Sequence, residues 1–388
     1  MILVEPSPID GPAEAQQTAD WLSAHGQPAR VSADFRDDHE IWPDVWTSPL
    51  DPRLENRRVS CLADYLLKTR EVLAVTGTAG KTTTAWLLAQ LLPQCHSSKG
   101  RAQNLWPGPE LLETRGPIVA ELTSSHLAFC QHSPRVAAIT NFWPDHIEIH
   151  GSLEAYGAAK SRLFRFQKPE DVAVLPWDDR EAQQLASDSP ARRAWFSTGP
   201  EHGVFPKDGG IQVGDRHLTL QPTPQLLCAL AMAEASGLPW QLPERFQLPP
   251  HRAAPRGRLI DDSLAATPRK AGHQLQPGTR LVAGGLLEIA GQPVHASPAE
   301  QRALQDWLEK IRQTCTRVDL FGPAGHWLHQ QLPGSHLHQS VLEAAGAALQ
   351  AGPGVVLVSP GFPMLQGDRE ELSGPALTES DSSLTEPS

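Results

Sequence analysis

No apolar run in this 388-residue chain approaches the roughly 20 residues needed to cross a bilayer. Its first residues, MILVEPSPIDGPAEAQ, have neither the basic stretch nor the apolar core of a leader. A soluble, cytoplasmic protein with no membrane partner is therefore expected. Excess positive charge is also missing: 33 Lys and Arg face 44 Asp and Glu, a formal net charge of -11. A general nucleic-acid binder needs a basic surface to neutralise phosphates, so nucleic acid is excluded as a partner, although a small anion in a local basic pocket is not. Cys61, Cys95, Cys130, Cys228 and Cys315 are scattered and never form CxxC, which supports neither a disulfide framework nor a zinc ribbon. No GxGxxG joins the first strand to the first helix, no HExxH occurs, and no internal repeat is visible.

The chain exceeds one typical core, so two or three domains are expected. The pattern is α/β. A weak strand at Met1 to Val4, a helix at Ala13 to Ala24 and a strand at Ala29 to Val31 open residues 1–70. Buried-looking strands follow at Val72–Val75, Ile118–Glu121, Val136–Thr140 and Val172–Leu175, with helical pattern near 81–92, 153–166 and 226–235. Alternation of this kind implies a parallel, doubly wound sheet. The Pro- and Arg-rich stretch LPPHRAAPRG from Leu248 marks a boundary. Beyond it strands recur near Leu259–Ile260, 280–283, 318–321 and 355–358, with helices near 298–314 and 339–350. The expected division is thus 1–70, 71–248 and 249–371, with a polar, unstructured tail over 372–388.

The most informative segment is AVTGTAGKTTT, residues 74–84. A buried strand feeds a turn containing Gly77, Thr78, Ala79 and Gly80, and a helix starts at Lys81. Such a turn aims backbone N–H groups and a helix dipole at one point, which favours phosphate. Lys81 would reach the terminal phosphates, and Thr82, followed by Thr83, would help hold Mg²⁺. Val75 stands where the usual GxxxxGK[ST] pattern has its first glycine. The segment also reads as a plain turn linking strand to helix.

GTAGKTTT after a buried strand resembles the loop of the Mur ligase family, GTxGK[ST]T. Later segments extend the resemblance in order. Glu121-Leu-Thr-Ser-Ser is similar to the family's E-L-S-S, and Thr140-Asn141-Phe-Trp-Pro-Asp145-His146 to its T-N-x-x-x-D-H. Tyr156-Gly-Ala-Ala-Lys160 is similar to Y-x-x-A-K, whose lysine is carbamylated. Gln103-Asn104-Leu-Trp is a looser match to G-N-I-G, His251-Arg252 matches H-R, and Asp261-Asp262-Ser263 with Pro268 resembles D-S-K-x-T-x-P. The resemblance implies a three-domain fold: a small N-terminal α/β domain for a UDP-substrate, a central ATP-binding parallel sheet and a C-terminal Rossmann-like domain for the amino acid. ATP and Mg²⁺ are the implied cofactors. Thr82, Glu121, His146 and a carbamylated Lys160 are the implied metal ligands; Lys81, His146 and Lys160 act in catalysis. Asn104, Asn141, Arg252 and Asp261 join the loop in holding nucleotide. The implied reaction forms an amide through an acyl phosphate. On residues alone, Glu121 also reads as a surface acid and Lys160 as a helix-surface lysine, while His126, Asp145, His146 and His150 leave zinc open.

The version of the third motif points to the glutamate-adding branch, hence to a monomer joining glutamate to UDP-N-acetylmuramoyl-L-alanine. The alternatives are a folate- or polyglutamate-type ligase and a non-catalytic nucleotide-binding scaffold. Departures from the family gather on the substrate side. The N-terminal part lacks a glycine-rich turn, Leu264 and Ala266 replace a lysine and a threonine, and no lysine follows Gly284–Gly285. Thr123 and His126 stand in place of a serine and a glutamine.

Overall fold

The computed structural model describes residues 1–6, 13–34, 40–43, 47–98, 105–199, 201–250, 254–263, 265–272, 274–289, 292–295 and 297–373. The chain divides into two compact units, Met1–Leu248 and Pro249–Ser388.

The first unit opens with β1 (Ile2–Val4), α1 (Ala13–Ala24), β2 (Ala29–Val31) and β3 (Glu40–Trp42), which form a parallel sheet in the order β2-β1-β3. Next come α2 (Leu62–Thr69), β4 (Val72–Thr76), α3 (Lys81–Leu91), β5 (Ile118–Glu121), α4 (Ser124–Ala128), β6 (Val136–Ile139) and α5 (Ile147–His150). The unit continues with α6 (Leu153–Arg165), β7 (Val172–Pro176), α7 (Arg180–Gln184), β8 (Arg192–Phe196), a small antiparallel sheet of β9 (Phe205–Lys207), β10 (Gly210–Val213) and β11 (Arg216–Leu218), and α8 (Pro224–Ser236).

Strands β4 to β8 build a five-stranded parallel sheet in the order β5-β4-β6-β7-β8. Its inner strands are apolar except for Thr76 at the end of β4, because helices cover both faces. The side chains divide with the two-residue period of a strand. Leu73, Val75, Val119, Ala138 and Val174 pack beneath α3 and α8. Ala74, Ile118, Ala120, Ile139 and Leu175 pack on the other face with Leu163 and Phe164 of α6. Helix α8, capped by Thr223 with Pro224 at its first position, is buried almost all round, as a helix between two layers must be.

The second unit holds β12 (Ala254–Arg256), β13 (Leu259–Asp261), α9 (Pro268–Gly272), β14 (Thr279–Gly284), the hairpin β15 (Glu288–Ile289) and β16 (Gln292–Pro293), and α10 (Pro298–Thr314). It ends with β17 (Cys315–Phe321), α11 (Gly322–Gln331), β18 (His336–His338), α12 (Val341–Gln350), β19 (Val356–Gly361) and α13 (Gln366–Ser373). The sheet order is β12-β13-β19-β14-β17-β18, parallel except for β12. The expected α/β class with parallel sheets is borne out. One expectation needs correction: Leu372, where an unstructured tail was to begin, lies in the last turn of α13 and is buried beside Met364. Residues 374–388 are outside the described residues, as are Asn104, His251, Arg252 and Leu264. Among the described residues, no helix is long and apolar enough to cross a membrane.

Candidate active site

The turn after β4 is pinned from the end of β6, the neighbouring strand. Thr140 Oγ1 donates to Ala79 O at 2.6 Å, and Asn141 brackets the same residue, accepting from Ala79 N–H at 2.9 Å and donating to Ala79 O at 3.1 Å. Asn141 O also accepts the Thr78 N–H at 3.1 Å. The Thr78 hydroxyl bonds the Trp143 carbonyl at 3.1 Å and accepts from Tyr156 Oη at 3.2 Å. Gly77 has φ 142°, and a Cβ there would collide with the Thr140 side chain. Gly80, at φ 83°, is the N-cap of α3. The turn is thus fixed at the N-terminus of a helix, whose first-turn N–H groups and dipole favour an anion. Lys81 Nζ folds back onto Gly77 O at 3.0 Å. Thr82 is buried beside it, and Thr83 is partly exposed.

Lys160 is not a surface lysine. It is 1% exposed, donates to the same Gly77 carbonyl at 2.9 Å and lies 4.6 Å from the centre of the Tyr156 ring. The one-turn spacing of Tyr156 and Lys160 on α6 puts both on the face that meets the loop. Two lysines from different helices therefore converge on one backbone oxygen. Glu121, at the end of β5, is not a surface acid either. It is 2% exposed, and its Oε2 is buried with no hydrogen-bond partner. The strand ends are linked by Thr76, whose hydroxyl donates to Leu122 O at 2.8 Å and lies 3.5 Å from Lys160 Nζ. His146 sits at φ 54° before the short α5, half-buried, its Nε2 3.6 Å from Asp145 Oδ2. Its ring centre is 6.3 Å from that of Tyr156.

An orphaned carboxylate oxygen and a buried hydroxyl near a phosphate cradle suit a hard divalent cation. Among the described residues no group of three His, Cys, Asp or Glu side chains could hold a metal, so the zinc reading has no cage. The set of Thr82, Glu121, His146 and Lys160 contains only two residues of those types.

Asp261 belongs to the second unit. It is fully buried and its Oδ1 accepts the Ser263 N–H at 3.1 Å. Asp262 is tied to β19 through Val358 O at 2.8 Å and the Ser359 hydroxyl at 3.2 Å. Gly285 is required where it stands, because the Pro363 carbonyl crosses directly over it. One residue escapes the sequence reading. Gln225, in the first turn of α8, packs its amide about 3.1 Å from where a Cβ on Gly80 would lie. The Thr223-Pro224 helix start is the signal that could have drawn attention to it.

The fold and this cradle define a nucleotide-type α/β protein, and comparison with known proteins narrows the class. The profile of the Mur ligase middle domain matches residues 75–217. A UDP-N-acetylmuramoylalanine–D-glutamate ligase of Desulfitobacterium hafniense is 30% identical over 330 residues, covering 74% of this chain and 69% of that protein. The enzyme of the same name from Thermus thermophilus is 34% identical over 206 residues, covering 52% and 48%. Among solved structures, MurF from Thermotoga maritima in complex with ADP aligns with a TM-score of 0.59 at 16% identity, covering 98% of this chain and 94% of that one. A folylpolyglutamate synthase/dihydrofolate synthase from Yersinia pestis aligns at 0.55 and 18% identity, covering 80% and 90%. The two structural likenesses concern the fold alone. This chain belongs to the Mur ligase family, whose members are ATP-dependent amide-bond ligases.

Proposed function

We propose that this chain joins glutamate to UDP-N-acetylmuramoyl-L-alanine, using ATP, in peptidoglycan precursor synthesis. The observation that carries the reading is the preassembled loop, with Lys81 and Lys160 on Gly77 O and the unpartnered Glu121 oxygen at the neighbouring strand end. The name of the Desulfitobacterium relative supplies the substrates.

In this reading a carboxylate oxygen of the acceptor attacks the γ-phosphorus of ATP. The bond to the β-bridging oxygen breaks and ADP leaves. The glutamate amine then attacks the acyl carbon, inorganic phosphate departs, and the amine proton passes to solvent. Loop N–H groups and Lys81 take up charge on the transferred phosphoryl group, a positioning and electrostatic role. Thr82, Glu121 and His146 would hold Mg²⁺, with Lys160 adding an oxygen donor once carbamylated; bound metal would neutralise the phosphates. Residues 1–70 would take the UDP-sugar, 71–248 ATP, and 249–371 the amino acid. Asn104, Asn141, Arg252 and Asp261 would contact nucleotide or substrate, and the ligase would act as a monomer.

One observation favours a second amine or acceptor instead. Leu286 and Leu287, half-buried, follow the paired glycines where a cation for glutamate is expected. Phosphate release from ATP and Mg²⁺ with UDP-N-acetylmuramoyl-L-alanine, plus D-glutamate, L-glutamate or neither, tests the proposal. Release that needs the sugar nucleotide and one glutamate isomer supports it. Silence in all three mixtures, with ATP bound, counts against it.

A further inference from the structure

Two of the cysteines meet. Cys61 Sγ and Cys130 Sγ lie 4.0 Å apart, although 69 positions separate them in the chain. Both are free thiols. Both donate to one oxygen, His126 O, at 3.6 Å from Cys61 and 3.2 Å from Cys130. That carbonyl also accepts the Phe129 N–H at 3.3 Å, so it keeps a partner when the two S–H groups are lost.

The backbones that carry the thiols are already fixed to each other. Cys61 is the N-cap of α2, and its sulfur accepts the Asp64 N–H at 3.4 Å. Asp64 Oδ1 in turn accepts the N–H groups of the two residues after Cys130, Gln131 at 2.7 Å and His132 at 3.0 Å. From the other side Arg162 of α6 donates to Cys130 O at 2.6 Å.

The pair lies at a seam between two sheets. Just before Cys61 the chain runs alongside β3: Arg58 O accepts the Ile41 N–H at 2.8 Å, and the Ser60 N–H donates to Ile41 O at 3.0 Å. Leu62 and Tyr65 pack on the core of the small N-terminal sheet, while Leu66 and Leu67 join the core of the central sheet. Phe129, the residue before Cys130, packs against Leu3, Ile41 and Leu54.

We infer that Cys61 and Cys130 are a peroxide-sensitive dithiol, whose oxidation to a disulfide staples the small N-terminal sheet to the central sheet and slows turnover. Cys61, 6% exposed against 0% for Cys130, is the sulfur that a small oxidant reaches. Its thiolate attacks one oxygen of hydrogen peroxide, the O–O bond breaks, and a sulfenic acid forms as hydroxide leaves to take up the thiol proton. The Cys130 sulfur then attacks Cys61 Sγ, and the sulfenic oxygen departs as water with the Cys130 proton. Two thiols are oxidised by two electrons, and one peroxide becomes two waters. In a reducing compartment the pair rests as the dithiol.

The test treats the whole protein, freed of dithiothreitol, with a small excess of hydrogen peroxide. The intact mass should fall by two hydrogens, and a peptide map should join Cys61 to Cys130. The Tm should rise by about 10 °C, as closing a loop of this length implies, and amide exchange in β1 and β3 should slow about tenfold. Dithiothreitol should reverse every change. Cys130→Ser should show none of them and should accumulate a Cys61 sulfenic acid that dimedone traps; the wild-type map stands without this variant. A wild type that keeps both thiols, or links other cysteines, overturns the inference, as does a linked protein with unchanged Tm and exchange. Phosphate release by the linked protein should fall at least about fivefold, since motions of whole elements gate turnover in many enzymes, and undiminished release overturns the effect on turnover. That effect rests on the ligase reading: a protein silent even when reduced counts against that reading, while the map and the exchange still decide the staple.

Discussion

Replacing Gly77 with alanine isolates the geometry of the phosphate loop. Its φ of 142° is a conformation that L side chains rarely adopt, and holding alanine there costs about 1–3 kcal/mol. A Cβ would also lie 3.1 Å from Thr140 Cβ and 3.2 Å from Thr140 N, and closer still to the hydroxyl. Overpacking of this kind costs about 1–3 kcal/mol. Relief requires Thr140 to rotate, which sacrifices its 2.6 Å bond to Ala79 O, worth about 1 kcal/mol. Together the losses come to about 5 kcal/mol, or roughly 15 °C in a unit of this size. Differential scanning calorimetry reads the Tm, and phosphate release reads the loop, which should fall at least about a hundredfold because the cradle N–H groups move. Adding Thr140→Ala should recover part of the Tm, since the two sites couple through one clash. It should not recover turnover, because Ala79 loses one of the bonds that fix the turn. A Gly77→Ala protein with wild-type Tm and turnover refutes the reasoning, as does strict additivity in the double variant.

Other expectations follow from the same site. Lys81→Ala should abolish phosphate release with little change in Tm, measured by circular dichroism; near-normal turnover would remove the loop assignment. Lys160→Ala should be nearly inactive and partly rescued by short carboxylates, and full activity without added acid would sink the carbamate idea. Glu121→Ala should erase the part of AMPPNP's thermal stabilisation that depends on Mg²⁺ and retain the part seen in chelator, which a shift assay separates. Thiol reactivity offers a check remote from catalysis. Burial, with the nearby Glu71 charge, pushes the Cys95 thiol up to about 11, and burial pushes Cys315 to about 11 and Cys228 higher still. Cys130 is raised by its contact with the Cys61 thiol, 4.0 Å away, and by burial. A higher pKa means less thiolate at pH 8, so native Cys95 and Cys315 should react with a disulfide reagent about a hundredfold more slowly than in denaturant. Fast labelling of the native protein would contradict the packing.

The sequence made the sheet cores legible because fully buried parallel strands leave an unmistakable mark, as at Val72–Thr76 and Val136–Ile139. It hid elements whose signal is local and mixed. Helix α11 begins Gly322-Pro-Ala-Gly, which reads as a turn, yet Pro323 fits a helix's first turn because the missing N–H would be unpaired there anyway. Strand β8, Arg192–Phe196, is an edge with two exposed arginines, so its apolar signal is halved. At the site, the loop pattern named Lys81 and Thr82, and the family resemblance named Glu121, Asn141, His146 and Lys160, but neither gives burial. That Glu121 and Lys160 are nearly inaccessible, and that Lys81 and Lys160 share one carbonyl, follows only from the packing of α3 and α6 on either side of β4. Gln225 was missed because 145 positions separate it from Gly80.

The distribution of change across the site has a physical rationale. Loop residues are bound to one another: Thr78, Ala79, Thr140, Asn141 and Tyr156 form one hydrogen-bonded set, so removing the Thr78, Thr140 or Asn141 side chain breaks more than one bond at once. Leu286 and Leu287 stand just before a short hairpin, and the Trp106 ring meets that of His126 edge to face. A change at these positions leaves the loop's own hydrogen bonds in place. His126 is the informative intermediate. Its ring replaces an amide, yet Thr123 still closes the helix cap onto it. Because the bond from the His126 N–H to Thr123 Oγ1 is made by the backbone, the helix cap survives a change of side chain there, and the hydrogen bonds of the phosphate loop are left in place.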